Sequence, residues 1–301
     1  MSNETFASVN GVELCYDSFG APENPAVLLI MGLGAHMIQW DDEFRAELAG
    51  RGFFVIRFDN RDVGRSSKID FDPDAMLRDA FAGRPVDPPY RLADMARDAL
   101  GLLDALGIAR ANVVGASMGG AIAQELALIA PERVSSLTSI MSTTGERDLP
   151  PPGPQFAEIF MAPPPRDEAE YVQANLRAWK LMRAPGEEDP EEDRRDLERA
   201  ERAARRAPLC PEGGARQMLA MMASGGRRAR LAKVAAPTLV IHGTGDRLVP
   251  LVCGEDTARA IPGARLLALE GMGHNLPKRL WPRLLDAIAE IARRSVHPVD
   301  I

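Results

Sequence analysis

The chain has 301 residues, is 46% hydrophobic and 26% charged, and carries a formal net charge of −7 at pH 7. That size and composition suit one large α/β domain or a core with a sizeable insertion, and the acidic balance argues against non-specific nucleic-acid binding. No apolar run approaches the roughly 20 residues a membrane span needs, and residues 1–6 lack the basic and apolar regions of a secretory signal.

Apolar runs begin at residues 6–9 and 12–16, on either side of Asn10-Gly11, a strong two-residue hairpin signal. The next run, Ala26-Val27-Leu28-Leu29-Ile30, opens an alternation of strands and helices. Residues 42–49 read as a helix, 53–56 as a strand and 92–106 as a helix. A strand is expected around Val113-Val114, a helix follows Ser117, and residues 137–141 read as another strand. A hairpin feeding a βαβα series predicts a mostly parallel sheet with helices on both faces.

After Met141 the composition changes. Residues 142–235 hold no convincing strand and are rich in Pro, Arg, Glu, Ala and Met. Pro150-Pro151-Pro152 and Pro163-Pro164-Pro165 are stiff connectors. Residues 187–206 mix acids and bases densely and read as a solvated helical face, with an acidic start and a basic end that match a helix dipole. Around Met218-Leu219-Ala220-Met221-Met222 the methionines are core filler or the wall of an adaptable apolar pocket. The βα pattern resumes with Pro237-Thr238-Leu239-Val240-Ile241, a helix over 252–260, a strand over 265–269 and an amphipathic closing helix over 280–293. The expected organisation is therefore a core of 1–141 and 236–301 with a helical cap, 142–235, folded over one end of the sheet.

The densest chemical signal is Gly115-Ala116-Ser117-Met118-Gly119, a G-x-S-x-G turn between a β-branched strand and a helical run. The glycines allow a sharp corner, so the serine hydroxyl stands clear at a helix N-terminus, where free N–H groups suit a developing oxyanion. A serine hydroxyl needs a base to take its proton, and the imidazolium that forms needs a carboxylate. Both partners belong at the C-terminal ends of later strands. His242-Gly243-Thr244-Gly245-Asp246 follows one such strand and Gly271-Met272-Gly273-His274 the last. Ser117, Asp246 and His274 are the catalytic candidates, in the order of an α/β-hydrolase triad. The oxyanion donors expected are the backbone N–H groups of Met118 and, in the loop after the third strand, Leu33. His242 reads as structural, His297 lies in the tail, and His36 is a weaker candidate for the pocket wall.

On these residues the chain resembles the α/β-hydrolase superfamily over nearly its whole length. The resemblance rests on the hairpin entry, Met31-Gly32-Leu33-Gly34, Asp59-Asn60-Arg61-Asp62-Val63-Gly64-Arg65-Ser66, the serine turn, His242-Gly243-Thr244-Gly245-Asp246 and Gly273-His274. Where most members carry His-Gly it has Met31-Gly32, and where they carry glycine it has Asp62. Both features, with Met182-Arg183-Ala184-Pro185-Gly186, are similar to the branch that includes hydrolases of the aclacinomycin methylesterase type. The resemblance implies hydrolysis of a small-molecule carboxylic ester, a methyl ester among the options, through an acyl-serine. Residues 59–66 read as a structural turn.

Other chemistries use the same triad: a peptidase of the proline iminopeptidase type, carbon–carbon hydrolysis and perhydrolysis. A ligand-binding module with little turnover is the alternative from outside enzymology. No Cys/His spacing suggests a metal and no motif calls for a cofactor. Cys15, Cys210 and Cys253, odd in number and scattered, predict reduced thiols and a cytoplasmic protein.

Overall fold

A computed structural model describes residues 4–294; His297 lies outside them. The chain forms β1 (Thr5–Val9), β2 (Val12–Phe19), β3 (Ala26–Ile30), α1 (Asp42–Ala49), β4 (Phe54–Phe58) and α2 (Asp74–Phe81). Next come α3 (Leu92–Ala105), β5 (Ala111–Ala116), α4 (Met118–Ile129) and β6 (Val134–Ile140). Helices α5 (Ala157–Met161), α6 (Glu168–Met182), α7 (Pro190–Arg206), α8 (Pro211–Ser224) and α9 (Arg228–Leu231) then follow one another. The chain returns to the sheet with β7 (Thr238–Gly243), α10 (Leu251–Ala260), β8 (Arg265–Leu269) and α11 (Trp281–Arg294).

Among the described residues, eight strands form one sheet in the order β1-β2-β4-β3-β5-β6-β7-β8. β2 pairs antiparallel with β1 and with β4, and the remaining pairs are parallel. The hairpin turns on Asn10 and Gly11, whose φ values of 47° and 76° are the two positive angles a type I′ turn needs. After β3 the chain moves to one side to form β4, then crosses to the other side for β5. The crevice beyond the C-terminal ends of β3 and β5 is thus a topological switch point, the place where such sheets bind ligands.

Both faces of the sheet are covered, and the strand sequences show why. In β3, Leu28 and Ile30 face a core built with α3 and α4, while Val27 and Leu29 face a second core built with α1 and α11. Val113 and Val114 of β5 divide in the same way. A strand buried on both sides reads as an unbroken apolar run, as β3 does.

Two strands run further than their apolar runs suggest. β2 continues past Tyr16 through Asp17, and β4 past Ile56 through Arg57. Asp17 and Arg57 are register partners across the β2–β4 ladder. Arg57 Nε and Nη2 donate to the two Asp17 carboxylate oxygens, each at 2.9 Å, in a bidentate pair that is fully buried.

The acid- and base-rich stretch of 187–206 also departs from the solvated face expected of it. Its helix, α7, has the expected dipole match and a first turn capped by Asp189, which accepts from the Glu191 and Glu192 amides. Yet Glu192, Arg195 and Asp196 are buried. Arg195 pairs with Asp41, Arg202 with Asp42, and Arg206 with both Glu4 and Asp59, so one face of α7 is an ionic seam against the core. Helix α2 has no counterpart among the elements expected from the sequence. No helix among the described residues is long and apolar enough to cross a membrane.

Candidate active site

Ser117 sits between β5 and α4 with φ 56° and ψ −121°, a conformation that costs a non-glycine residue on the order of 1–3 kcal/mol. Its neighbours make the turn possible. A Cβ on Gly115 would lie 2.0 Å from the Gly119 carbonyl oxygen, and one on Gly119 would lie 2.1 Å from that of Ile30. Only glycine fits at either position, because strand, turn and helix are pressed backbone to backbone. The Ser117 amide donates to Ile140 O at 2.9 Å, which ties the strained residue to the end of β6.

Asp246 and His274 arrive from the loops after β7 and β8. His274 Nδ1 lies 2.7 Å from Asp246 Oδ2, and its Nε2 lies 2.9 Å from Ser117 Oγ. With the carboxylate accepting from Nδ1–H, Nε2 is free to accept the serine proton. Asp246 is itself held: Oδ1 accepts from the Leu248 and Val249 amides at 3.0 and 2.8 Å. The His274 amide donates to Met182 O at 2.6 Å, and a Cβ on Gly273 would lie 2.3 Å from that same oxygen. The end of α6 therefore clasps the histidine loop, a contact the sequence does not disclose. The three residues picked from the sequence are thus brought into one hydrogen-bonded chain.

The Met31-Gly32-Leu33-Gly34 loop passes directly over the serine. A Cβ on Gly32 would sit 3.1 Å from Ser117 Cβ and 3.6 Å from its Oγ. Leu33 follows in the cavity wall. Met118 is the first residue of α4, where an N–H has no partner within its own helix.

His242 is structural. Its Nε2 donates to Val249 O at 2.7 Å, and burial holds its pKa below the ordinary histidine value. His36 is also buried, against Tyr171 with ring centroids 6.4 Å apart, and burial pushes its pKa down to about 4. Tyr171 lines the cavity, whereas His36 is not among the lining residues.

The turn of residues 59–66 is structural and serves the site. Asp59 accepts from the Met37 and Arg65 amides, Asn60 Nδ2 donates to Met31 O at 2.9 Å, and Arg61 forms a bidentate pair with Asp98. Asp62 keeps the left-handed backbone, φ 74°, that a glycine would adopt there, and uses its carboxylate. It accepts from Tyr90 Oη at 2.6 Å, from the Ile69 amide at 2.8 Å and from Arg216 Nε of α8 at 2.9 Å.

Ser117 and His274 open into a cavity of about 1380 Å³, above the roughly 300–1,000 Å³ of ordinary ligand pockets. Trp179 and Met182 of α6 and Met218 and Met221 of α8 line it. Leu77 and Phe81 of α2 complete one side. The apolar spacing of Met76, Leu77, Ala80 and Phe81 between Pro73 and Gly83 is the sequence signal for that helix.

Residues 25–277 match the family model of the alpha/beta hydrolase fold. The chain is 33% identical to rhodomycin D methylesterase DauP of Streptomyces sp. (strain C5), over 94% of its own length and 96% of that protein's. It is 32% identical, with the same coverage, to rhodomycin D methylesterase DnrP of Streptomyces peucetius. Among solved structures it is similar to a hydrolase from Pseudomonas aeruginosa PA01, with TM-score 0.66, 28% identity and 98% of each chain covered. It also matches the enol-lactonase from Burkholderia xenovorans LB400, with TM-score 0.71 over 96% of this chain and all of that one; at 22% identity this concerns the fold alone. The chain belongs to the alpha/beta hydrolase family. Within that family it is a carboxylic ester hydrolase.

Proposed function

We propose that this hydrolase cleaves a carboxylic ester, a methyl ester by preference, on a bulky and largely apolar acid, with Ser117 as the nucleophile. The observation that carries this reading is the chain Ser117 Oγ, His274 Nε2, His274 Nδ1, Asp246 Oδ2, with links of 2.9 and 2.7 Å, at the edge of a large and mostly apolar cavity. Methyl esters are suggested by the two methylesterase relatives. A bulky acid is suggested by the cavity volume and by its tryptophan, phenylalanine and methionine walls.

In this mechanism Ser117 Oγ attacks the ester carbonyl carbon as its proton passes to His274 Nε2. Asp246 holds the imidazolium at Nδ1. The tetrahedral oxyanion is held by the N–H groups of Leu33 and Met118, each such donor being worth about 10²–10³ in rate. Collapse breaks the bond to the alkoxy oxygen, which leaves as the alcohol with the proton from Nε2. Water then attacks the acyl-serine, again giving its proton to His274, and the acid departs as Ser117 is restored.

Residues 142–235 act as the cap of this site, set on a core of 1–141 and 236–301, and supply much of the substrate wall. A cytoplasmic location belongs to the same proposal, supported by Cys15, Cys210 and Cys253, all free thiols. The test is hydrolysis of p-nitrophenyl esters from acetate to octanoate by wild type and Ser117→Ala. Turnover lost in the variant supports the assignment, and turnover retained by a folded variant refutes it.

A further inference from the structure

The oxyanion loop is gripped from the helical insertion by one side chain, that of Gln217 on α8. Gln217 is fully buried. Its Oε1 accepts from the Gly34 amide at 2.8 Å and its Nε2 donates to Arg61 O at 2.7 Å. The partners fix the orientation of the amide, since an N–H must meet the oxygen and a carbonyl must meet the NH2 group. The loop is gripped at its other end too, where Asn60 Nδ2 donates to Met31 O. Gly32 and Leu33 lie between these two anchors.

Gly34 has φ 67°, and a Cβ there would meet nothing within 4 Å. Gly34 has no side chain to hold this peptide, and its amide is held by the hydrogen bond to Gln217. Glycine moves readily between positive and negative φ. The Leu33 N–H belongs to the next peptide back, Gly32–Leu33, whose carbonyl accepts from the Ala35 amide at 3.3 Å, so Gly34 lies inside the turn that this bond closes. Without the bond to Gln217, the Leu33–Gly34 peptide can rotate and that turn can shift, moving the Leu33 N–H off the serine.

The helix that carries Gln217 is firmly seated. A Cβ on Gly213 would lie 2.0 Å from Asp62 O, and Arg216 reaches Asp62 at 2.9 Å. The same helix presents Met218 and Met221 to the cavity. One element thus touches both substrate space, with Met218 and Met221 among its lining residues, and the oxyanion loop, with Gln217.

We infer that Gln217 is a positioning residue for ester hydrolysis: through the Gly34 amide it sets the loop that directs the Leu33 N–H at the oxyanion. The inference rests on the serine mechanism proposed above. A side chain acting this way affects the tetrahedral state and leaves ground-state binding alone.

The experiment compares wild type, Gln217→Leu, Gln217→Glu and Ser117→Ala on p-nitrophenyl butyrate, with inhibition by butylboronic acid, which becomes tetrahedral on the serine. Gln217→Leu should lower kcat by about 10- to 100-fold with KM changed less than about 3-fold. Boronate affinity should fall by a similar factor. Gln217→Glu keeps an acceptor for the Gly34 amide but loses the NH2 donor to Arg61 O, and should recover part of the lost activity, more so at low pH where the carboxyl carries a proton to donate. It also provides the comparison if the leucine variant does not fold. Wild-type kcat in Gln217→Leu, or a loss confined to KM with boronate affinity unchanged, overturns the role of Gln217. An active Ser117→Ala would instead overturn the mechanism on which it rests, so the two failures are distinct.

Discussion

Asp246 grips His274 with one carboxylate oxygen and its own loop with the other. Oδ2 faces His274 Nδ1 at 2.7 Å, while Oδ1 accepts the amides of Leu248 and Val249. The carboxylate therefore cannot turn, and the imidazole is held with Nε2 toward Ser117. Asp246→Asn preserves size but offers an NH2 group where an acceptor is needed, which favours the wrong tautomer. Its kcat should fall by about 10³–10⁴-fold with little change in KM. Steady-state kinetics check this; a kcat within about tenfold of wild type would remove Asp246 from the mechanism.

Gly32 tests how closely the oxyanion loop must approach the serine. Gly32→Ala puts a methyl 3.1 Å from Ser117 Cβ, closer than most real contacts allow, so loop or serine must yield by a few tenths of an ångström. The protein should melt near the wild-type temperature while kcat falls at least about tenfold, given the sensitivity of such sites to small displacements. Gly115→Ala offers the contrast. Its methyl would collide with the Gly119 carbonyl at 2.0 Å, so this variant should fail to accumulate as folded protein. Paired thermal melts and kinetics separate the two outcomes.

Asp62 stands in a backbone conformation natural to glycine, so Asp62→Gly relieves strain while deleting three hydrogen bonds. The loss should dominate, because the Tyr90 hydroxyl and the Arg216 guanidinium are left facing a buried site without their acceptor. A destabilisation of about 2–3 kcal/mol is expected, below the figure for a fully enclosed pair because Arg216 borders the cavity. Urea unfolding measures it. A glycine variant as stable as wild type would mean that the carboxylate contributes nothing net.

His36 makes stability sensitive to acid. It is buried with Nδ1 lacking a hydrogen-bond partner among the described residues, and its pKa falls from 6.5 to about 4. Below pH 6.5 the unfolded chain takes up the proton and the folded one does not, so stability present above that pH is lost as pH falls toward 4. The conversion of about 1.4 kcal/mol per pH decade makes that loss about 3 kcal/mol for the gap from 6.5 to about 4. His242 adds to it with the same sign. The lowered carboxyls of Glu4 and Asp42 act lower, as pH falls below their ordinary range. His36→Phe should therefore lose less stability than wild type between pH 6.5 and 4. Parallel slopes in denaturant titrations across that window would contradict this.

The strands and helices of the core, its mostly parallel sheet and the three residues at its edge were legible because each rests on local signals: apolar runs, glycine turns and loops that follow strands. The order of the strands in the sheet was not read from the sequence. What lay hidden depends on partners distant in sequence. β2 and β4 read short because Asp17 and Arg57 interrupt their apolar runs, and only the ladder shows that the two charges face each other. The charged stretch that became α7 looked solvated because its partners Asp41, Asp42, Glu4 and Asp59 belong to the core. Gln217 is an ordinary polar residue on a helix until the Gly34 amide, 183 positions away, is placed against it. The clasp of His274 by Met182 O involves backbone alone, which leaves no trace in side-chain identity.

Trapping the acyl-enzyme tests the serine mechanism most directly. Wild type and Ser117→Ala would be mixed with p-nitrophenyl acetate, quenched in acid within the first turnover and analysed by intact and peptide mass spectrometry. Wild type should carry one acetyl group on the peptide containing Ser117, lost as free acetate appears, and the variant should carry none on that peptide. An acetyl group on another residue that turns over at the rate of hydrolysis, or the same turnover in Ser117→Ala, would contradict that mechanism.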